Sequence, residues 1–142
     1  QSISLHGNET KFELYDRLSQ LGAQLLFSVL PDIVSGVLKP KVQQNIDVTY
    51  TTMIQKSDGR IDLTTETATT IQRKVRAYLG FPKTTLNYKN NDVIITSSKV
   101  VDRPIEKELC VACADNTTLL VETLVAPNGK SMTGSAYLRG LR

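Results

Sequence analysis

Cys110 and Cys113 form a Cys-x-x-Cys pair, a spacing that metal-binding and redox chemistry both use. The run Glu108–Ala114 that carries them reads as a strand, and at period two, positions three apart point to opposite faces. On such a strand the thiols neither share a metal nor close a disulfide. No second cysteine pair exists and His6 is the only histidine, so a zinc set is not completed. Buried free thiols of a reducing cytoplasm account for the pair. His6 itself reads as a surface or packing residue. Asp58, Asp62 and Glu66 recur every four residues, but they straddle a turn and a helix start, where turn and capping roles suit them better than acid–base chemistry. The chain carries no Gly-x-Ser-x-Gly elbow, P-loop or Gly-rich dinucleotide fingerprint. No catalytic residue and no metal ligand is assigned.

Basic residues are the remaining candidates. The net charge is +3 over 142 residues, unevenly spread. Residues 1–63 hold six Lys/Arg against seven Asp/Glu, a net −1, whereas residues 64–142 hold eleven against seven, a net +4. Between Arg73 and Lys99, the cations Arg73, Lys74, Arg76, Lys83, Lys89 and Lys99 face only Asp92. Such a block is either a solvated surface or the footprint of a polyanion, whose phosphates release counterions on binding. Tyr50, Tyr78, Phe81 and Tyr88 lie near these charges and could stack on unpaired bases; core packing is the alternative, favoured for Tyr78 and Phe81.

The elements that must position these residues follow from periodicity. Thr10-Lys-Phe-Glu13 fits a capping box, and Leu14, Leu18, Leu21, Leu25 and Val29 recur at helical spacing, widened by Tyr15, Leu26 and Leu30. Pro31 is expected to start a fresh turn and Gly36 to stop the helix. So wide an apolar face needs a partner from a larger domain. Residues 37–63 lack a helical period and read as an extended linker with a turn at Ser57–Arg60. A second helix is expected from Thr64–Thr65 to Gly80, burying Ala68, Ile71, Val75 and Leu79, with Arg73 opposite and Lys74 and Arg76 beside it. Strands are expected at 84–88, 92–101, 109–114 and 117–125, with hairpin turns at Lys89–Asn91 and Asp115–Asn116. Pro127-Asn128-Gly129 is a turn, and Thr133 caps a short helix over Ser135–Arg139. Short hairpin-linked strands beside one helix predict an α+β chain dominated by β: a small OB-like β-barrel preceded by a helix. No apolar run spans a membrane. The opening Gln1-Ser-Ile-Ser-Leu5 lacks an initiator Met and the regions of a signal peptide, and reads as a cut-out piece.

Several segments, in order, resemble one family. Leu14-Tyr15-Asp16-Arg17-Leu18, Gly22-Ala23, Leu25-Leu26, Leu30-Pro31 and Gly36 are similar to the helix that closes a formyltransferase domain. Gln43, Thr49-Tyr50 and Lys56-x-Asp58-Gly59-Arg60-Ile61-Asp62 resemble the linker that follows. Arg76-Ala77-Tyr78 with Phe81-Pro82 resembles the next motif. Val111-Ala-Cys113, Leu119–Leu124, Gly129-Lys130, Met132 and Tyr137-Leu138-Arg139-Gly140 resemble the terminal strands and helix. The family is that of the methionyl-tRNA formyltransferases, and the resemblance covers nearly the whole chain. Leu63 stands where the family often has Trp, Met53 replaces a frequent Lys, Thr52 a frequent Pro, and Leu79-Gly80 an Asn-Pro.

The resemblance implies three parts: 1–36 as the end of the Rossmann-like formyltransferase domain, 37–63 as the interdomain linker, and 64–142 as the OB-like tRNA-binding domain. It implies formyl transfer from 10-formyltetrahydrofolate to methionyl initiator tRNA by the whole cytoplasmic enzyme. The folate site and the Asn/His/Asp catalytic set lie upstream, so this piece is expected to bind no cofactor and to be inactive alone. The expected tRNA contacts are Arg73, Lys74, Arg76, Lys83, Lys89 and Lys130, with Lys56 and Arg60 as linker contacts; Arg76 has a rival role anchoring its helix to the linker. No obligate protein partner is expected, and the protein is read as a monomer. The alternatives are a formyltransferase acting on a sugar nucleotide, a formyltetrahydrofolate hydrolase or dehydrogenase, or a stand-alone OB-like module.

Overall fold

Thr10 opens the first helix, α1 (Lys11–Val34), with the capping box expected from the sequence. The Thr10 hydroxyl accepts from Glu13 N–H, and Glu13 in turn accepts from Thr10 N–H at 2.7 Å. The helix does not restart at Pro31. It runs through that residue to Val34, because a proline removes one N–H from the ladder without forbidding helical φ. Gly36 follows at φ +74. No residue of α1 is buried, and Leu18, Leu26 and Phe27 are exposed.

The computed structural model describes residues 1–141, in two units, Gln1–Met53 and Ile54–Arg142. In the first unit, residues after α1 form neither helix nor strand. Residues 54–63, the end of the stretch read as extended linker, lie in the second unit. Lys56–Gly59 forms a short 3-10 turn, Ile61 N–H donates to Thr85 O at 3.0 Å, and Ile61 and Leu63 pack on the core.

The second helix, α2 (Ala68–Ala77), starts later than expected. Asp62 holds Thr64 and Thr65 in a turn: its carboxylate accepts from Thr64 N–H (2.9 Å) and Oγ1–H (2.6 Å), and its carbonyl accepts from Glu66 N–H (2.9 Å). These bonds compete with helical ones, so Thr67 becomes the cap. Ala68, Ile71 and Val75 are buried as their spacing requires. The helix ends at Ala77, before Gly80 (φ +84) and a cis Phe81–Pro82 bond.

Five antiparallel strands follow: β1 (Thr84–Tyr88), β2 (Asn91–Val101), β3 (Cys110–Ala112), β4 (Thr118–Val125) and β5 (Ser131–Thr133). Lys89 and Asn90, both at positive φ, make the tight β1–β2 turn. The order is β1-β2-β4-β3, with β5 also on β4. Among the described residues no strand pairing closes this sheet, so the expected barrel is not formed. The reason is visible at both ends: β3 and β5 have three residues each, and β1's outer edge receives one parallel bridge, from Arg60 to Thr85. β5 itself was not anticipated; Pro127-Asn128-Gly129 is the turn that delivers it.

Register irregularities at Ile95–Ser98 shift the inward positions of β2 from Val93 and Ile95 to Ser98, and β4 shifts likewise from Leu119 and Val121 to Leu124. α2 packs on β2 and β4 over this face. The last helix, α3 (Gly134–Gly140), is capped by Thr133 as expected and starts one residue early. A Cβ at Gly134 would stand 2.2 Å from Val121 O and 2.8 Å from Leu109 Cβ. Gly134→Ala therefore sets a helix-propensity gain of about 1 kcal/mol against a larger overlap with backbone. The expected net is a loss of about 1–3 kcal/mol, read as a lower urea midpoint with unchanged m; an equal or higher midpoint would contradict the packing described.

Candidate nucleic-acid interface

The cations singled out in the sequence fall into distinct structural situations. Arg73 is exposed on α2, and no ion pair involves it among the described residues. Lys74, one position on, is half-buried with its ammonium 2.6 Å from Glu66 Oε2. Their side chains are 27% and 15% exposed, so this pair is shielded from solvent in a way surface pairs are not. Arg76 is also half-buried and donates from Nε to Gln72 Oε1 at 3.3 Å. Arg60 pairs with Asp92 at 3.1 Å.

Lys56 and Lys83 come together through the backbone. A Cβ on Gly59 would lie 1.9 Å from Lys83 O, so the 3-10 turn of Lys56 abuts the start of β1. Lys83 N–H donates to Tyr78 O at 3.0 Å, which ties this corner to the end of α2. Lys89 sits at the opposite end of β1, its ammonium 5.8 Å from the Tyr88 ring centroid. Lys130 is on the β4–β5 turn; that turn and the β1–β2 turn line one depression, so Lys89 and Lys130 share one end of the sheet. The basic set is thus two clusters and a helix face. Arg103 and Arg139 are further exposed cations that sequence spacing did not single out.

Tyr78 is half-buried, but Phe81, expected to pack, is 56% exposed. Tyr88 meets the buried Tyr137 edge-on, with ring centroids 6.4 Å apart. Tyr50 lies in the first unit and is exposed. Both cysteines are free. Cys113 is buried, its thiol donates to Val111 O, and burial pushes its pKa up, away from the thiolate that reactivity needs. No group of His, Cys, Asp and Glu able to hold a metal occurs among the described residues.

The acidic residues serve local structure. Asp58 accepts from Gln55 N–H, Asp62 holds its turn, and Glu66 pairs with Lys74. In the first unit Glu9 accepts from His6 N–H (2.6 Å) and Gly7 N–H (2.9 Å) and pairs with Arg17 (3.2 Å). These bonds, the one from His6 foremost, lower its pKa from the ordinary 4.5 to about 2. The Glu9 carboxylate therefore stays ionised and is poorly suited to act as a general acid.

Residues 53–142 match the family described as Formyl transferase, C-terminal domain. The methionyl-tRNA formyltransferase of Albidiferax ferrireducens is 32% identical over 152 residues, covering 99% of this chain and 47% of that protein. That of Sulfurihydrogenibium sp. is 28% identical over 153 residues, covering 100% of this chain and 49% of the relative. The chain therefore spans about half the length of the curated relatives it matches. Among solved structures, a variant of HypX from Aquifex aeolicus aligns with a TM-score of 0.70 at 12% identity, over 99% of this chain and 27% of that one. HypX in complex with tetrahydrofolic acid gives 0.68 at 12% identity, over 97% and 26%. At such identity the likeness is one of fold. No described helix is long and apolar enough to cross a membrane.

Two expectations follow from the charge placements. Lys74→Met should cost about 1–2 kcal/mol, because it strands a half-buried Glu66 carboxylate, whereas Arg73→Gln should stay within about 0.5 kcal/mol; paired urea titrations would separate them, and equal effects would contradict the assignment. Glu9 has a folded pKa below its ordinary one, so its contribution is present above about 4.5 and lost as pH falls through about 2. The amide resonances of His6 and Gly7 should titrate with a midpoint near 2, and a midpoint near 4.5 would show that the loop bonds do not hold in solution.

Proposed function

The chain belongs to the formyl transferase C-terminal domain family, and on that premise we propose that it is the tRNA-gripping part of a methionyl-tRNA formyltransferase. In the whole protein, a formyl group passes from 10-formyltetrahydrofolate to the α-amine of methionine on initiator tRNA. This chain's share is to hold the tRNA while an upstream domain performs the transfer, and the isolated chain is inactive. Residues 1–36 are the end of that domain, and the apolar stripe of α1 is the face that packs on it. Residues 37–63 are the linker, its last ten held on the tRNA-binding domain by Ile61 and Leu63.

The observation that carries this reading is the disposition of charge in the second unit. It holds thirteen Lys/Arg against nine Asp/Glu, and Arg73, Lys83, Lys89, Lys130 and Lys56 are exposed with no salt bridge among the described residues. Cations without a carboxylate partner are the ones whose field reaches a phosphate backbone and releases its counterions. Lys74 and Arg60 are matched by Glu66 and Asp92 and contribute less. Arg76 stiffens α2 through Gln72 more than it meets solvent.

The test is the salt dependence of initiator-tRNA binding. Arg73→Glu with Lys83→Glu should weaken binding and flatten the plot of log K against log salt by about 2, one per lost phosphate contact. Lys74→Met should leave the slope nearly unchanged. A double variant with wild-type slope would sink the phosphate assignment.

A further inference from the structure

We propose that the depression between the β1–β2 turn, the β4–β5 turn and α3 receives a single unpaired base of the bound RNA. This rests on the RNA-binding reading above and adds to it: the exposed cations meet phosphates, and this end of the sheet also meets the edge of a base. The depression has a volume of about 290 Å³ and is lined by Asn91, Asn128, Met132, Ala136, Tyr137 and Leu141 among others. That is the small end of the range for ligand cavities, about 300–1,000 Å³, and suits one flat ring better than a larger group.

Two amides give it chemical character. Asn91 Nδ2 donates to Lys89 O at 3.1 Å, and Asn128 Oδ1 accepts from Lys130 N–H at 3.0 Å. Each turn is itself closed by backbone bonding: Tyr88 pairs with Asn91, and Ala126 N–H donates to Lys130 O at 2.9 Å. Both amides are therefore oriented before any ligand arrives. What remains is Asn91 Oδ1, an acceptor, and Asn128 Nδ2, a donor, neither with a partner among the described residues. An acceptor and a donor lining one depression complement the Watson–Crick edge of an unpaired base, where donors and acceptors alternate.

The surroundings agree. Met132, Ala136 and the buried Tyr137 supply an apolar floor for a base face, and the Tyr137 hydroxyl has no hydrogen-bond partner among the described residues. Lys89 and Lys130 flank the two asparagines in sequence and are exposed, as cations for the phosphates on either side of the base should be. A paired base has its edge occupied, so a duplex satisfies the charges but not the amides.

The test uses the chain with two RNA hexamers of equal charge: a mixed single-stranded sequence, and the same backbone with abasic positions. A duplex of the same sequence is the third probe. The base-bearing strand should bind about tenfold tighter than the abasic one and should shift the side-chain amide resonances of Asn91 and Asn128. Asn128→Ser keeps an acceptor for Lys130 N–H, removes the amide donor, and should lose most of that preference without changing the salt slope. Equal affinity for the two strands, the same Asn91 and Asn128 amide shifts with the duplex as with the single strand, or an unchanged preference in Asn128→Ser would each overturn base recognition while leaving the phosphate reading intact. Absence of binding to any of the three RNAs at low salt would overturn both.

Discussion

Strand β4 is hydrogen-bonded to three others, with β2 along one edge and β3 and then β5 along the other. Leu119, Val121 and Leu124 are fully buried. That arrangement leaves β4 little freedom of register, since a slip of one residue would turn its inward side chains to the opposite face. α3 depends on it as well: Gly134 lies so close to Val121 O that only the lack of a side chain admits the helix. The start of α2 is tied to the same region through Ala68 N–H, which donates to the Thr117 hydroxyl at 2.8 Å.

The consequence is that the exposed cations and the two turn asparagines are presented at the margins of a fixed sheet. The apolar side of α2 is drawn onto β2 and β4, which turns Arg73 outward and leaves Lys74 where Glu66 can hold it. The β1–β2 and β4–β5 turns are placed side by side because β2 and β5 flank the same stretch of β4: Val125 pairs with Ile94 on one edge and Ser131 on the other. Lys89, Lys130 and the two asparagines arrive at one end of the sheet for that reason. They are far apart in sequence, and no local spacing relates them.

How much was legible in the sequence follows from the range of the interactions that decide each feature. The capping box of α1, the buried face of α2, the span of β1 and the turn at Lys89–Asn90 rest on local chemistry and were readable. The start of α2 was misplaced because Asp62 captures Thr64 and Thr65, a competition that helix periodicity does not register. β5 was missed because three residues carry too little pattern to mark a strand. The barrel expected from the strand count is an open sheet because closure depends on strand lengths and edges, which hairpin signals do not set. Among the candidate contacts, residue type identified the cations but not their partners. Which cation is free and which is matched depends on Glu66 and Asp92, eight and thirty-two residues away from Lys74 and Arg60.

The central claim is that the exposed cations of the second unit, rather than the first unit's helix, meet the tRNA. Hydrogen–deuterium exchange of the chain with and without initiator tRNA tests it most directly. The account predicts slowed exchange at α2 and at the turns of Lys83, Lys89 and Lys130, with α1 unchanged. Protection confined to residues 1–53, or absent throughout at saturating tRNA, would contradict it.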